Sequence, residues 1–196
     1  MNKAAVSEKV SARDRLLAAA GELFYEEGIN TVGIDRVIEH AGVAKASLYN
    51  TFGSKDELIR AYLHTQLQAR QERINARLAK SDDPRAQLLG VFDVMRETAS
   101  RPEFRGCAFV RASAELKPGS AVKVVCDESR AWTRALFTRL AKEVGAHNPH
   151  VLADQLVLLY DGAAVSAQMD GSGKGAVTAR ALAAQLLDIA QGLRNL

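Results

Sequence analysis

The chain has 196 residues, 47% hydrophobic, with 4 prolines, 6% aromatics and a formal net charge of +3. That apolar content excludes a disordered chain, and scarce proline and aromatics beside abundant Ala and Leu favour an all-α protein. The first 60 residues carry 8 Lys/Arg against 9 Asp/Glu, which excludes nucleic-acid binding there by a diffuse basic surface and leaves only a few placed groups to do it.

Helix signals follow one another along the chain and strand signals are nearly missing. Ser11-Ala-Arg-Asp14 predicts an N-cap with an acidic third residue. Leu16, Ala20, Leu23 and Phe24 then recur at helical spacing until Gly28. A short helix bearing Ile34, Val37, Ile38 and Ala41 follows, preceded by Thr31 or Gly33 and broken at Gly42-Val43. A third runs from about Ala44 to Thr51, with Leu48 and Phe52 on its apolar side and Gly53 closing it.

Ser54-Lys-Asp-Glu57 reads as a full capping box opening a long helix over 54–80, and Ser81-Asp-Asp-Pro84 as a stop and restart. The next helix carries Leu88, Leu89, Phe92 and Met95 and ends before Arg101-Pro102. A shorter one follows Gly106 and reaches about Leu116, with Pro118-Gly119 as punctuation. Val122, Val125, Trp132, Leu136 and Leu140 mark the next, ending near Gly145. Asn148-Pro149 starts another, Gly171–Gly175 is read as a loop, and Val177–Gly192 as the last helix. The expectation is about nine helices.

Two short helices divided by Ala41-Gly42-Val43 fit a helix-turn-helix, in which the second enters a major groove. Lys45, Ala46, Ser47 and Asn50 would then face base edges, with Tyr49 and Lys55 on flanking phosphates. Spacing alone serves a plain α-hairpin with a half-buried Tyr49 equally well.

Residues 11–60, through LLAAAGELFYEEGINTVGIDRVIEHAGVAKASLYNTFGSKDELI, resemble the DNA-binding domain of TetR-family transcriptional regulators. The shared pattern is a first helix with an aromatic and a terminal glycine, an A-G-V turn, L-Y-x-x-F, and a serine-lysine-acid start to the fourth helix. The resemblance implies a three-helix DNA-binding domain over 1–53 and a helical effector-binding and dimerisation domain over 54–196. It implies base contacts from Lys45, Ala46, Ser47 and Asn50, phosphate contacts from Tyr49 and Lys55, and core positions for Leu48 and Phe52. Two departures stand out. Ala44 occupies a position where many relatives have Ser or Thr, and Val32-Gly33 replaces another hydroxyl, leaving Thr31 as the substitute phosphate contact.

The resemblance further implies a homodimeric repressor on a palindromic double-stranded operator, released by a small effector; two cysteines and no leader or membrane span make the cytoplasm the expected location, and no motif calls for a cofactor, metal or catalytic residue. Leu152, Leu156, Leu159 and Ala163 form one candidate dimer stripe, and Ala183, Leu186, Leu187 and Ala190 a second. Both stripes serve equally to cover the chain's own core. Phe92, Met95, Phe104, Cys107, Trp132 and Phe137 form a candidate pocket for a largely apolar effector. Cys107, after Gly106 and near Arg105, is also a candidate thiol sensor, whereas Cys126 lies on an apolar helical face. A small helical enzyme or ligand carrier is the competing class.

Other signals fail. GSGKG at 171–175 lacks the G-x-x-x-x-G-K-[ST] pattern. His147, His150 and Asp154 share no helix face, and the consecutive acid pairs do not face one another. Met1–Val10 lacks the apolar segment of a leader, and no run approaches a membrane span.

Overall fold

Four side-chain caps set where helices begin. Ser11 Oγ accepts from Asp14 N–H at 3.1 Å and opens α1 (Ala12–Glu27). Ser54 Oγ accepts from Glu57 N–H at 3.2 Å and opens α4 (Lys55–Leu78). Asp83 accepts from Arg85 and Ala86 N–H, both at 3.1 Å, with Pro84 as the first residue of α5 (Pro84–Ala99). Asn148 accepts from Val151 N–H and opens α8 (Pro149–Asp170). Between them lie α2 (Ile34–Ala41), α3 (Lys45–Phe52), α6 (Ala108–Glu115), α7 (Val122–Glu143) and α9 (Lys174–Ala190).

These elements come from a computed structural model that describes residues 10–116 and 119–192. The expectations for residues 1–9 and for Pro118 lie outside the described residues. Among the described residues the chain is all-α, with nine helices and no strand.

Three expectations need correction. The capping box at Ser54 is half made, because the Glu57 carboxylate turns away to Arg60 at 2.8 Å. The long helix stops at Leu78, two residues early, and spans ~36 Å at ~1.5 Å per residue. Finally, α9 starts at Lys174, so Gly175 is helical rather than loop. A Cβ at Gly175 would lie 2.7 Å from Ser166 Cβ, so this glycine serves the close approach of α8 and α9.

The apolar side chains form two clusters. The lower one joins α1, α2, α3 and the first half of α4 to Phe109 and Ala112 of α6 and Val122, Val125 and Cys126 of α7. The upper one joins Ile74 and Leu78 of α4 to α5, the second half of α7, α8 and α9. The division therefore falls midway along α4, and the lower cluster reaches well past residue 53. Cys107 and Trp132 pack against both clusters, and the Arg70 guanidinium lies 4.9 Å from the Phe109 ring centre and 5.5 Å from that of Trp132. Arg70 thus marks the seam.

Candidate nucleic-acid interface and ligand cavity

The corner between α2 and α3 follows from one glycine. Gly42 is left-handed, with φ 61° and ψ 43°. Its N–H donates to Glu39 O at 3.0 Å, and the Val43 N–H donates to Ile38 O at 3.3 Å. This pair of bonds is a Schellman closure, and its backbone geometry favours a residue with no Cβ.

With the corner fixed, α3 presents two unlike faces. Leu48 is 0% exposed and anchors the helix to the lower cluster. Phe52 is half-buried, with the Arg13 guanidinium 5.8 Å from its ring centre. On the other side Tyr49 is 46% exposed. Lys45, Ala46 and Asn50 are exposed beside it. Ser47 is half-buried and its carbonyl accepts from the Thr51 hydroxyl at 2.6 Å. The N-cap is Ala44, with no side-chain cap; the Ser47 N–H donates to Ala44 O at 2.9 Å, and no side chain caps the amides of Lys45 and Ala46.

Two cations were expected at DNA. Lys45 Nζ instead meets Asp35 Oδ1 of α2 at 2.8 Å, and that hydrogen bond raises its pKa. Both partners are solvent-exposed, so the pair is screened and exchangeable. Lys55, in the first turn of α4, is half-buried; burial lowers its pKa, while Asp56 and Glu115 oppose that. Thr31 is exposed in the turn before α2, whose N-cap is Gly33. Acids of this region are largely matched, with Glu22 on His40 at 2.8 Å and Glu27 on Arg36. Asp35, held by Lys45, is a carboxylate beside the exposed side of α3.

A cavity of about 90 Å³ sits at the seam of the two clusters. Its wall includes Tyr25 of α1, Gln66, Arg70 and Arg73 of α4, and Met95 and Thr98 of α5. Phe104, Cys107 and Phe109 close it from the α6 side, and Tyr160 and Ala164 from α8. Of the six residues expected, Met95, Phe104 and Cys107 line it. Phe92, Phe137 and Trp132 do not. Phe92 and Phe137 are fully buried and packed ring to ring at 5.7 Å, with Tyr160 at 6.2 and 5.9 Å, so they hold the upper cluster together. Trp132 is turned to Arg70.

Residues 16–62 match the model of bacterial regulatory proteins of the tetR family. Over the whole fold, the chain superposes on a TetR-family transcriptional regulator from Streptomyces coelicolor with a TM-score of 0.86 and 33% identity, covering 92% of this chain and 96% of that one. A TetR regulator from Streptomyces avermitilis is 35% identical with a TM-score of 0.76, over 92% of this chain and 98% of that one. The chain belongs to the TetR family. It is therefore a DNA-binding transcriptional regulator and not an enzyme. It is also 26% identical to the transcriptional activator FasR of Mycolicibacterium smegmatis over 149 residues, 75% of this chain and 68% of that protein.

TetR-family membership places the recognition element but not the other surfaces of this chain. The expected dimer stripes face the chain's own core. Leu152, Leu156, Ala163, Ala183 and Leu187 are at most 3% exposed within one chain, and Leu159, Leu186 and Ala190 pack partly against the same cluster. A residue already enclosed by its own chain has nothing left to bury against another. The outward side of α8 carries Leu158, 72% exposed, and Met169, 81% exposed, with Val165 and Gly162 between them. Sequence reasoning also missed Tyr25, Arg70 and Arg73. They look like ordinary residues of amphipathic helices, and only the packing of five helices brings them to one cavity. No described helix is long and apolar enough to cross a membrane.

Proposed function

We propose that this TetR-family chain is a cytoplasmic, homodimeric repressor that binds a palindromic operator and leaves it when a small effector fills the seam cavity. The observation that carries the reading is the two-faced α3, with Leu48 sealed and Tyr49 and Asn50 presented outward. Asn50, Ala46, Ser47 and Lys45 read base edges, while Tyr49, Lys55 and Thr31 hold phosphates.

Dimerisation uses the outward side of α8. Leu158, Gly162, Val165 and Met169 recur at i, i+4, i+7 and i+11, a single stripe on one helix. Large exposed apolar groups in a contiguous line favour association, and Gly162 has no atom within 4 Å of where its Cβ would lie. Two such helices, flanked by α9 and its exposed Leu182, form a four-helix interface.

The cavity's walls explain how an effector reaches the DNA end. Tyr25, at the end of α1, donates its hydroxyl to Gly106 O at 3.2 Å and accepts from Arg105 N–H at 2.9 Å. Arg111 of α6 donates to Tyr25 O. Beyond α1, Asn30 N–H donates to a Glu115 carboxylate oxygen at 2.8 Å, and its side-chain amide to Glu115 O at 2.7 Å. A ligand that moves α6 therefore moves the end of α1, and α1 carries α2 and α3 through the lower cluster. Ligand between the two clusters favours their separation, which supports release rather than recruitment. Turning a 99:1 population to 1:99 needs about 5.5 kcal/mol of preference for the DNA-free form.

The test is binding of the full chain to the DNA upstream of its own gene against a scrambled duplex at physiological salt. A specific site bound at least about a thousandfold more tightly supports the reading. Equal affinity for both duplexes overturns it. Sedimentation should give twice the 21.2 kDa chain mass, and Leu158→Asp with Met169→Asp should give the monomer. In a reporter strain, loss of the protein should raise transcription from the bound promoter; a fall would make it an activator.

A further inference from the structure

Five described arginines carry a guanidinium nitrogen sealed from solvent with no hydrogen-bond acceptor: Arg60, Arg70, Arg73, Arg85 and Arg180. Three of these guanidiniums nevertheless face a carboxylate. Arg60 meets Glu57 at 2.8 Å, Arg85 meets Asp188 at 2.7 Å, and Arg180 meets Asp93 at 3.0 Å. Arg70 and Arg73 have no ion pair among the described residues, and they are the two that line the seam cavity. Arg77, one turn further along the same helix, is again paired, with Asp93 at 2.9 Å. Among the arginines with a sealed and unpartnered nitrogen, these two alone have no carboxylate partner among the described residues.

Only neutral groups answer these two cations. Arg70 Nη2 donates to Ser129 Oγ at 2.7 Å and Ser129 O at 3.3 Å, and the head stacks on Phe109 and Trp132. Its Nε–H stays unpaired. Arg73 has no hydrogen bond to any described residue, and its charged form is disfavoured first by burial and then by Arg101, with Arg70 adding to that. Desolvating a cation without a counter-charge is costly, and two of them i, i+3 apart on one helix repel. A folded protein sheds such a cost unless something else supplies the negative charge.

We propose that the effector is a small organic carboxylate whose anionic head is held by Arg70 and Arg73 and whose tail lies on the apolar wall of Met95, Phe104 and Ala164. Guanidinium forks match a carboxylate in charge and in plane. The apolar wall distinguishes an organic anion from a bare inorganic one, which has no tail to bury. A space of about 90 Å³ is several times the ~10–15 Å³ that one water needs, so a short tail fits. This rests on the effector reading above, and it replaces the largely apolar ligand expected from the sequence.

The reporter is built in. Trp132 is the chain's single tryptophan and its ring stacks on Arg70, so its emission senses a counter-ion there. Full-length protein is titrated with straight-chain monocarboxylates from acetate to hexanoate, with their methyl esters and with inorganic phosphate. A saturable change for a carboxylate of intermediate length, at least tenfold tighter than for its ester or for phosphate, supports the proposal. Arg73→Met should abolish that change without lowering the melting temperature, because Arg73 makes no hydrogen bond or ion pair to any described residue. Equal response to ester and acid, no response to any acid, a response as strong to phosphate, or unchanged carboxylate binding by Arg73→Met overturns it. Operator binding of the ligand-free protein is measured in parallel. If that holds while the carboxylates fail, only the ligand class is wrong; if operator binding fails, the regulatory reading falls independently.

Discussion

The two ends of the molecule store their function differently. At the DNA end, the residues proposed to act lie within Thr31–Lys55, and one left-handed glycine and one buried leucine fix the helix that carries most of them. At the seam, the wall runs from Tyr25 to Ala164, and no two consecutive helices suffice to build it. A short-range site is written as a local pattern. A long-range site exists only after the fold, and its side chains carry no local signature.

The largest effects should test whether the ends are energetically distinct. Phe92→Ala removes a fully buried ring that packs on Phe137 and Tyr160, and should cost about 3–5 kcal/mol of stability. Leu48→Ala should cost about 2–5 kcal/mol and also unseat α3. Calorimetry on both variants sharpens the comparison. If the clusters behave as one cooperative unit through α4, each variant gives a single lowered transition. Two separated transitions would show that the lower cluster melts alone. Operator affinity should collapse in Leu48→Ala at temperatures where Phe92→Ala, still folded, binds normally.

Contacts on the exposed face come next. Asn50→Ala should cost about 1–3 kcal/mol on the native operator and relax preference at one base position. Lys55→Ala should weaken all sequences alike and reduce the salt dependence by about one phosphate contact. Tyr49→Phe should also weaken all sequences alike, with the salt dependence unchanged because no charge is lost. The comparison breaks if Asn50 and Lys55 variants shift every duplex by the same factor, since a presented reading helix must separate base contacts from phosphate contacts.

Helix order, the Gly42 corner, the Ser54 start and the anchor Leu48 were all legible in the sequence, because caps, glycines and 3.6-residue periodicity act within a few residues. Of the six residues expected at a pocket, Met95, Phe104 and Cys107 line the seam cavity, and Phe92, Phe137 and Trp132 do not. Large aromatic side chains attract attention as pocket walls, yet Phe92 and Phe137 are best satisfied by each other. The same bias chose the stripes on α8 and α9. Leucine and alanine periodicity finds the most apolar side of a helix, and the most apolar side is the one the chain buries for itself. Gly175 shows the converse: it read as loop, and its absent side chain serves helix packing. Arg70 and Arg73 were invisible because their distinction is that no carboxylate among the described residues faces them.

A smaller effect concerns the unguarded start of α3. Ala44 caps nothing, and its φ of −71° and ψ of 147° are those that a capping serine adopts. Ala44→Ser should therefore stabilise the protein by about 0.5–1 kcal/mol, seen as a raised denaturant midpoint with unchanged slope. Operator affinity should change little if α3 is already ordered before DNA binding. A gain of affinity much larger than the gain of stability would mean that α3 orders on DNA, and that the two-faced helix is partly made by its ligand.

The smallest expected effect is at Cys107. Its thiol lines the cavity, half-buried at the N-cap of α6, while Cys126 is buried with its Sγ 3.9 Å from Phe109 O and its pKa raised by burial. Cys107→Ser keeps the size and removes the sulfur chemistry. If the cavity works by charge, this variant should bind carboxylates within about twofold of the parent, a difference under about 0.5 kcal/mol, and should release DNA at the same ligand concentration. If hydrogen peroxide frees the parent from its operator and leaves Cys107→Ser bound, then a thiol at the helix start controls the same seam. The guanidiniums would then answer to an oxidised sulfur rather than to a free carboxylate, and the contrast between a locally written DNA end and a dispersed effector end would narrow to a single side chain.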